Sequence, residues 1–315
     1  MKRKASIATA AVFLAVLFGF SLLHLALPDR EISRSERRRL AQLPPLSSGF
    51  SDKLEEYMLD QFPLREQLRT VNSLVRLYGL GQADIHSIYL QGGGAFRMDG
   101  PLQEKQVRHA AAVFSAVQET YFPSLPSHYV IVPDKNAKAE TSRPRLDTEA
   151  LHGIVREALP GMTEIDIWDL LSADDYYKTD PHWNAVGALI GLDGIFEALD
   201  MPTRPADSYP VEAGGTTTGD MANVAALYAS LPAEETYVVP GYDRMFEKDS
   251  RTVRVIGDSF SEYYMPYLQA RFTNSWREHI DTFTMDVAGH PGCDILILEF
   301  NERSLDKLLA ILEQF

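Results

Sequence analysis

A chain of 315 residues with 45% hydrophobic content can bury one substantial core, and a formal net charge of −14 excludes the broad basic surface that nucleic-acid binding requires. Any acidic ligand therefore needs a locally basic groove. The lone Cys293 excludes an intramolecular disulfide and, just ahead of the apolar run DILILEF, reads as a small core residue.

In chain order, Lys2, Arg3 and Lys4 precede a 23-residue apolar run, ASIATAAVFLAVLFGFSLLHLAL, long enough to span a bilayer. His24 and Leu25 stand where a cleavable signal carries small residues, so residues 1–27 are expected to remain as a membrane anchor. Arg30, Arg34, Arg37, Arg38 and Arg39 follow the span and only three basic residues precede it, which leaves its orientation open. Residues 28–49, charged and proline-bearing, read as a juxtamembrane linker, and 50–315 as one domain. From 51 to 80, Leu54, Tyr57, Met58, Phe62, Leu68, Val71, Leu74, Val75 and Tyr78 recur at threes and fours, predicting two helices broken near Pro63.

Strands are predicted at 128–133, 163–168, 252–257, 279–284 and 294–300, and helices at 102–121, 148–158, 184–199, 260–272 and 303–314. Strands that are apolar throughout and separated by helices predict an α/β fold, a doubly wound, mainly parallel sheet behind an N-terminal transmembrane helix. The Gly-, Pro- and Thr-rich stretch 201–250 is expected to be irregular and to contribute to a substrate groove.

In such sheets ligands bind beyond the carboxyl ends of the strands. The strand TVRVIG leads there into GDSFS, which puts Ser259 at a helix start, where free backbone N–H groups can stabilise an oxyanion. Taken alone, GDS reads better as a serine N-cap, and a base elsewhere in the chain is needed to favour the nucleophile. In TDPHWN, Pro181 favours an extended Asp180–His182 segment, so the Asp180 carboxylate can accept from His182 Nδ1 and leave Nε2 to take a proton from a serine. Asn184 is the expected cap of the following helix. On residue chemistry alone His182 reads as a catalytic base, a structural histidine or a metal ligand; the other histidines supply no HxxxH or HxH spacing.

YYKTDPHWNAVGA followed by VIGDSFS resembles the DHHW family and the AlgX- and AlgJ-like O-acetyltransferase proteins with SGNH-hydrolase-like domains. SERRRLAQLPPL, LEEYMLDQFPLREQL, GDMA and LEFNERSL extend the resemblance in the same order over most of residues 33–305. It implies a permuted SGNH-hydrolase-like domain in which the Asp-x-His pair precedes the serine, with Ser259 as nucleophile, His182 as base and Asp180 as its orienter. Pro181 stands where the family's name motif carries another histidine. The resemblance further implies a single-pass cell-membrane protein with its domain outside the cytoplasm, acetylating an extracytoplasmic glycan with acyl groups from a multispanning acyltransferase partner. Neither cofactor nor metal is expected. An acetylesterase with the same triad and a non-catalytic glycan-binding scaffold are the alternatives. Trp183 is a candidate wall for the acyl methyl, Lys135 and Arg303 are candidate holders of a sugar hydroxyl or carboxylate, and Tyr264, with Tyr263 and Tyr267, is a candidate groove residue. Pro266 is expected to shorten or kink the helix after Ser259.

Overall fold

The computed structural model describes residues 2–33, 36, 38–228, 230, 231, 233–280, 282 and 292–305. Two units divide the chain, one of Met1–His86 with Ala222–Ser230 and one of Ser87–Met221 with Leu231–Phe315.

In the first unit, helix α1 (Lys2–Ala26) contains a segment, Ser6–Ala26, long and apolar enough to cross a membrane. Strands β1 (Ile32–Ser33) and β2 (Arg38–Arg39) pair antiparallel. Helices α2 (Phe50–Asp60) and α3 (Arg65–Leu74) follow, separated at the expected break by Pro63 and by Leu64 in the left-handed region, φ 58°. A wider helical turn, Val75–Gly79, extends α3. Asp60 holds the β2 strand to the end of α2: Arg38 donates to both of its oxygens, at 2.5 and 2.7 Å, and the Ala41 amide donates at 2.8 Å.

The second unit opens with a hairpin, β3 (Ile88–Gln91) and β4 (Gly94–Arg97). There follow α4 (Glu104–Tyr121), β5 (Ser127–Val132), α5 (Thr148–Ala158), β6 (Thr163–Ile165) and α6 (Ala185–Ala198). Within the stretch expected to be irregular, β7 (Glu212–Thr217) and β8 (Glu234–Val238) form an antiparallel hairpin; the short helix α7 (Asp220–Val224) lies between them in sequence and belongs from Ala222 on to the first unit. Then come β9 (Asp249–Gly257), α8 (Ser259–Arg271), β10 (Phe272–His279) and β11 (Ile295–Asn301). Five strands make a parallel sheet in the order β10-β9-β11-β5-β6.

Alternation along these strands explains why they read as unbroken apolar runs. Tyr129 and Ile131 of β5 and Leu296, Leu298 and Phe300 of β11 pack under α4 and α5. Their neighbours Val130, Val132, Ile295 and Ile297 point the other way, under α6 and α8. With both faces covered, every residue along the strand meets one core or the other, each fully buried aliphatic side chain contributing about 1.5–3 kcal/mol.

Two expectations are corrected here. The strand placed at 279–284 shares only His279 with β10, which runs seven residues earlier; Asp281, Phe283 and Thr284 lie outside the described residues. As the outermost strand, β10 is only partly covered, and FTNSWREH carries no apolar run for a sequence reading to find. Pro266 does not stop α8, which continues to Arg271; the buried Tyr264, Met265 and Leu268 hold the helix against the sheet on either side of it. The helix expected at 303–314 falls, beyond Leu305, outside the described residues.

Candidate active site

Ser259 is the first residue of α8, directly beyond the carboxyl end of β9. Asp258 caps the helix: one oxygen accepts from the Phe260 amide at 2.8 Å and the other from the Asn301 amide at 2.8 Å, tying the serine to the end of β11. Arg277, on the strand that the sequence did not reveal, donates to the Asp258 carbonyl at 2.7 Å and to Ser261 Oγ. As the first helical residue, Ser259 has an amide with no partner inside the helix.

The segment carrying His182 is a closed loop rather than extended chain. Tyr176 bridges Trp183 antiparallel, and the Tyr177 amide donates to the His182 carbonyl at 3.0 Å, so Asp180 and His182 sit in a bend. Within it His182 Nδ1 lies 2.6 Å from Asp180 Oδ1, and Nε2 lies 2.7 Å from Ser259 Oγ. The carboxylate is itself fixed, since Oδ1 accepts from the His182 amide at 3.0 Å and Oδ2 from the Asp220 amide at 2.9 Å. Burial works to raise the Asp180 pKa, but the His182 hydrogen bond and charge and the two amides outweigh it and leave it below the usual value. The Asp180 carboxylate is therefore held as an anion against the ring.

The loop's second layer comes from the 201–250 stretch, which sequence reading assigned to a groove. Glu234 accepts from the amides of Lys178 and Thr179 and from the Thr179 hydroxyl, at 2.6–2.8 Å, and Thr179 Oγ1 accepts from the Gly219 amide at 2.9 Å. Gly219 is required by this approach, because a Cβ there would stand 2.3 Å from the Thr179 carbonyl oxygen. Asn184 caps α6 as expected, accepting from the Val186 and Gly187 amides at 3.0 Å.

Of the other predicted site residues, three are corrected by burial. Trp183 is fully buried and donates its indole N–H to the Phe260 carbonyl at 3.0 Å, joining the histidine loop to the serine helix from beneath. Tyr264, also fully buried, packs on Trp183. Both are core residues. Lys135 is buried too, donating to the Ala95 and Lys178 carbonyls at 2.7 and 2.9 Å; burial lowers its pKa to about 8 against the opposing pull of Glu234 and Asp180. Arg303, partly exposed, is committed to Asp134 at 2.6 Å. Besides Phe260, whose centroid lies 4.7 Å from that of His182, the aromatic that meets the site is Tyr263, whose ring stacks on His182 with centroids 5.1 Å apart. Its place four residues after Ser259, one helical turn on, was the signal available in the sequence.

Behind the serine, Glu299 of β11 is wholly buried, and neither carboxyl oxygen meets a partner with hydrogen-bond geometry. Burial, then the nearby Asp258 charge, pushes its pKa well above the ordinary value of 4.5. A carboxyl whose folded pKa is raised removes stability as pH climbs above the unfolded value. Glu299→Gln is thus expected to melt at a higher temperature than the natural chain at pH 8, with the gap shrinking by pH 5. Thermal unfolding at the two pH values checks this; a gap that widens on acidification contradicts it.

The fold has counterparts among solved structures. A DHHW family protein from Eubacterium siraeum matches with a TM-score of 0.61 at 13% identity, over 72% of this chain and 95% of that one. The O-acetyltransferase domain of Pseudomonas putida AlgJ matches with a TM-score of 0.51 at 18% identity, over 70% and 92%. Bacillus cereus PatB1 matches with a TM-score of 0.53 at 12% identity, over 69% and 94%. The chain shares their α/β fold. No protein-family model matches it, and no curated protein does so by sequence.

Proposed function

We propose that the protein is a membrane-anchored O-acetyltransferase that modifies a hydroxyl of an extracytoplasmic glycan through an acetyl-serine intermediate, on a permuted SGNH-hydrolase-like domain. The observation that carries this reading is the single imidazole joined to Asp180 at 2.6 Å on one side and to Ser259 at 2.7 Å on the other. The fold shared with the O-acetyltransferase domain of AlgJ supports it.

In the first half-reaction His182 Nε2 takes the Ser259 proton as Oγ attacks the acyl carbonyl, and the proton then goes to the departing donor group. In the second, an acceptor hydroxyl gives its proton to Nε2 as it attacks the acetyl-serine, and Nε2 passes that proton to the departing Ser259 Oγ, which restores the free serine. Asp180 holds the tautomer that keeps Nε2 open and stabilises the imidazolium between steps. The Ser259 amide is the oxyanion donor. The donor reaches the site from a multispanning acyltransferase in the same membrane, α1 being the anchor that keeps the two together.

The test is to treat the full chain in detergent with a fluorophosphonate and map the adduct by mass spectrometry. Labelling at Ser259 that is lost in His182→Ala is the expected result; labelling that persists in that variant, or its absence at Ser259, removes the triad and leaves a glycan-binding scaffold. Supplying an acetyl donor with and without oligosaccharide then separates transfer from hydrolysis to free acetate.

A further inference from the structure

Helix α3 is turned the opposite way to a water-facing helix. Three of its polar side chains turn inward, while Gln67 and Asn72 are exposed: Arg65 donates to Glu36 at 2.6 Å, Arg69 lies 3.8 Å from both Glu36 and Glu66, and Ser73 is buried. Its apolar side chains face out. Leu64, Leu68, Val71 and, through the following turn, Val75 and Tyr78 form a stripe at spacings of four and three residues, each 43–71% exposed. Met58, Leu59 and Leu80 widen it. A contiguous exposed apolar patch of this kind marks a surface that something covers.

The helix α1 indicates the cover. Phe20 stacks on Phe62 with centroids 5.1 Å apart, His24 meets Tyr57 edge-on at 5.3 Å, and the Arg30 amide donates to Gln61 Oε1 at 2.9 Å. These contacts pin the corner between α2 and α3 beside the last two turns of α1. Phe20 precedes the end of the helix at Ala26 by six residues, about 9 Å at 1.5 Å per residue. If α1 spans the bilayer, Phe62 therefore lies at leaflet depth, and the stripe starting at Leu64 continues from it. Residues 28–80 carry nine basic and eight acidic side chains, so this part of an otherwise acidic chain is not repelled by a lipid surface. The same spacing suits a coiled-coil seam, but α3 and its turn span only two heptads, too short for a stable one.

We propose that the apolar stripe of α3 is embedded in the leaflet in which α1 ends, so that a span and an interfacial helix hold the chain together. This rests on the anchor reading of α1 and is independent of the acyl-transfer chemistry.

The test uses the full chain in phosphatidylcholine nanodiscs, in a Cys293→Ser background, with single cysteines at Val71 or Val75 and, as a reference for the span, at Phe13, each carrying an environment-sensitive fluorophore. Labels at 71 and 75 are expected to be blue-shifted, to lose emission to 5-doxyl phosphatidylcholine and to resist iodide. Loss to iodide at 71 and 75 with the Phe13 label still quenched by lipid means that the stripe faces water and overturns the proposal. Shielding from both quenchers means that protein covers it, a second copy or another chain, and overturns it as well. Failure of lipid quenching at Phe13 removes the anchor reading and the proposal with it.

Discussion

Ser259→Ala is expected to lower kcat/KM for cleavage of a small acetyl ester by about 10⁴-fold or more, and His182→Ala by a similar factor. The two losses are not additive, because either change alone removes the same step. A double variant as active as either single one, in a continuous assay of acetate release, is the expected outcome. The reason lies in the 2.7 Å contact: an uncharged serine hydroxyl is a weak nucleophile until its proton has somewhere to go. Asp180→Asn is expected to fall by about 10⁴-fold with the fold intact, since the amide presents a donor where the ring needs an acceptor. Losses of less than tenfold in all three variants would contradict the assignment.

Trp183→Ala is expected to cost about 3–5 kcal/mol of stability, measured by denaturant unfolding of the full chain in detergent. The indole is fully buried between Phe260, Tyr264 and α6, and its N–H is the buried link to the Phe260 carbonyl. Truncation leaves both a cavity and an unsatisfied acceptor. The same change is expected to reduce catalysis beyond what the unfolded fraction accounts for, because Trp183 holds the histidine loop in place against the serine helix. A loss below about 1 kcal/mol would mean that the surrounding side chains close over the gap.

The fold was legible where both faces of a strand are covered. VIV in β5 and ILILEF in β11 announce themselves as apolar runs, and the helices between them carry a 3.6-residue period. It was illegible at the sheet's edge, where half-covered FTNSWREH follows directly on α8 without a turn signal. In the site, the Asp180–His182 contact was readable from the motif, although the bend that makes it was not, since Pro181 pointed to extended chain. The Glu234, Gly219 and Asp220 supports were not, because they come from a hairpin 40 to 56 residues away whose contacts no local pattern encodes. Trp183 and Tyr264 misled because proximity in sequence to a reactive group says nothing about which side of the backbone a ring takes. In α3 the periodicity was correct but does not say which face turns inward.

Asp180 has one oxygen claimed by the Asp220 amide and the other by the ring, and the stacked Tyr263 closes one face of that ring. These contacts hold the ring with Nδ1 toward Asp180 and Nε2 toward Ser259. In the proposed acyl transfer, donor and acceptor would therefore share one nitrogen, Nε2, and use it in turn.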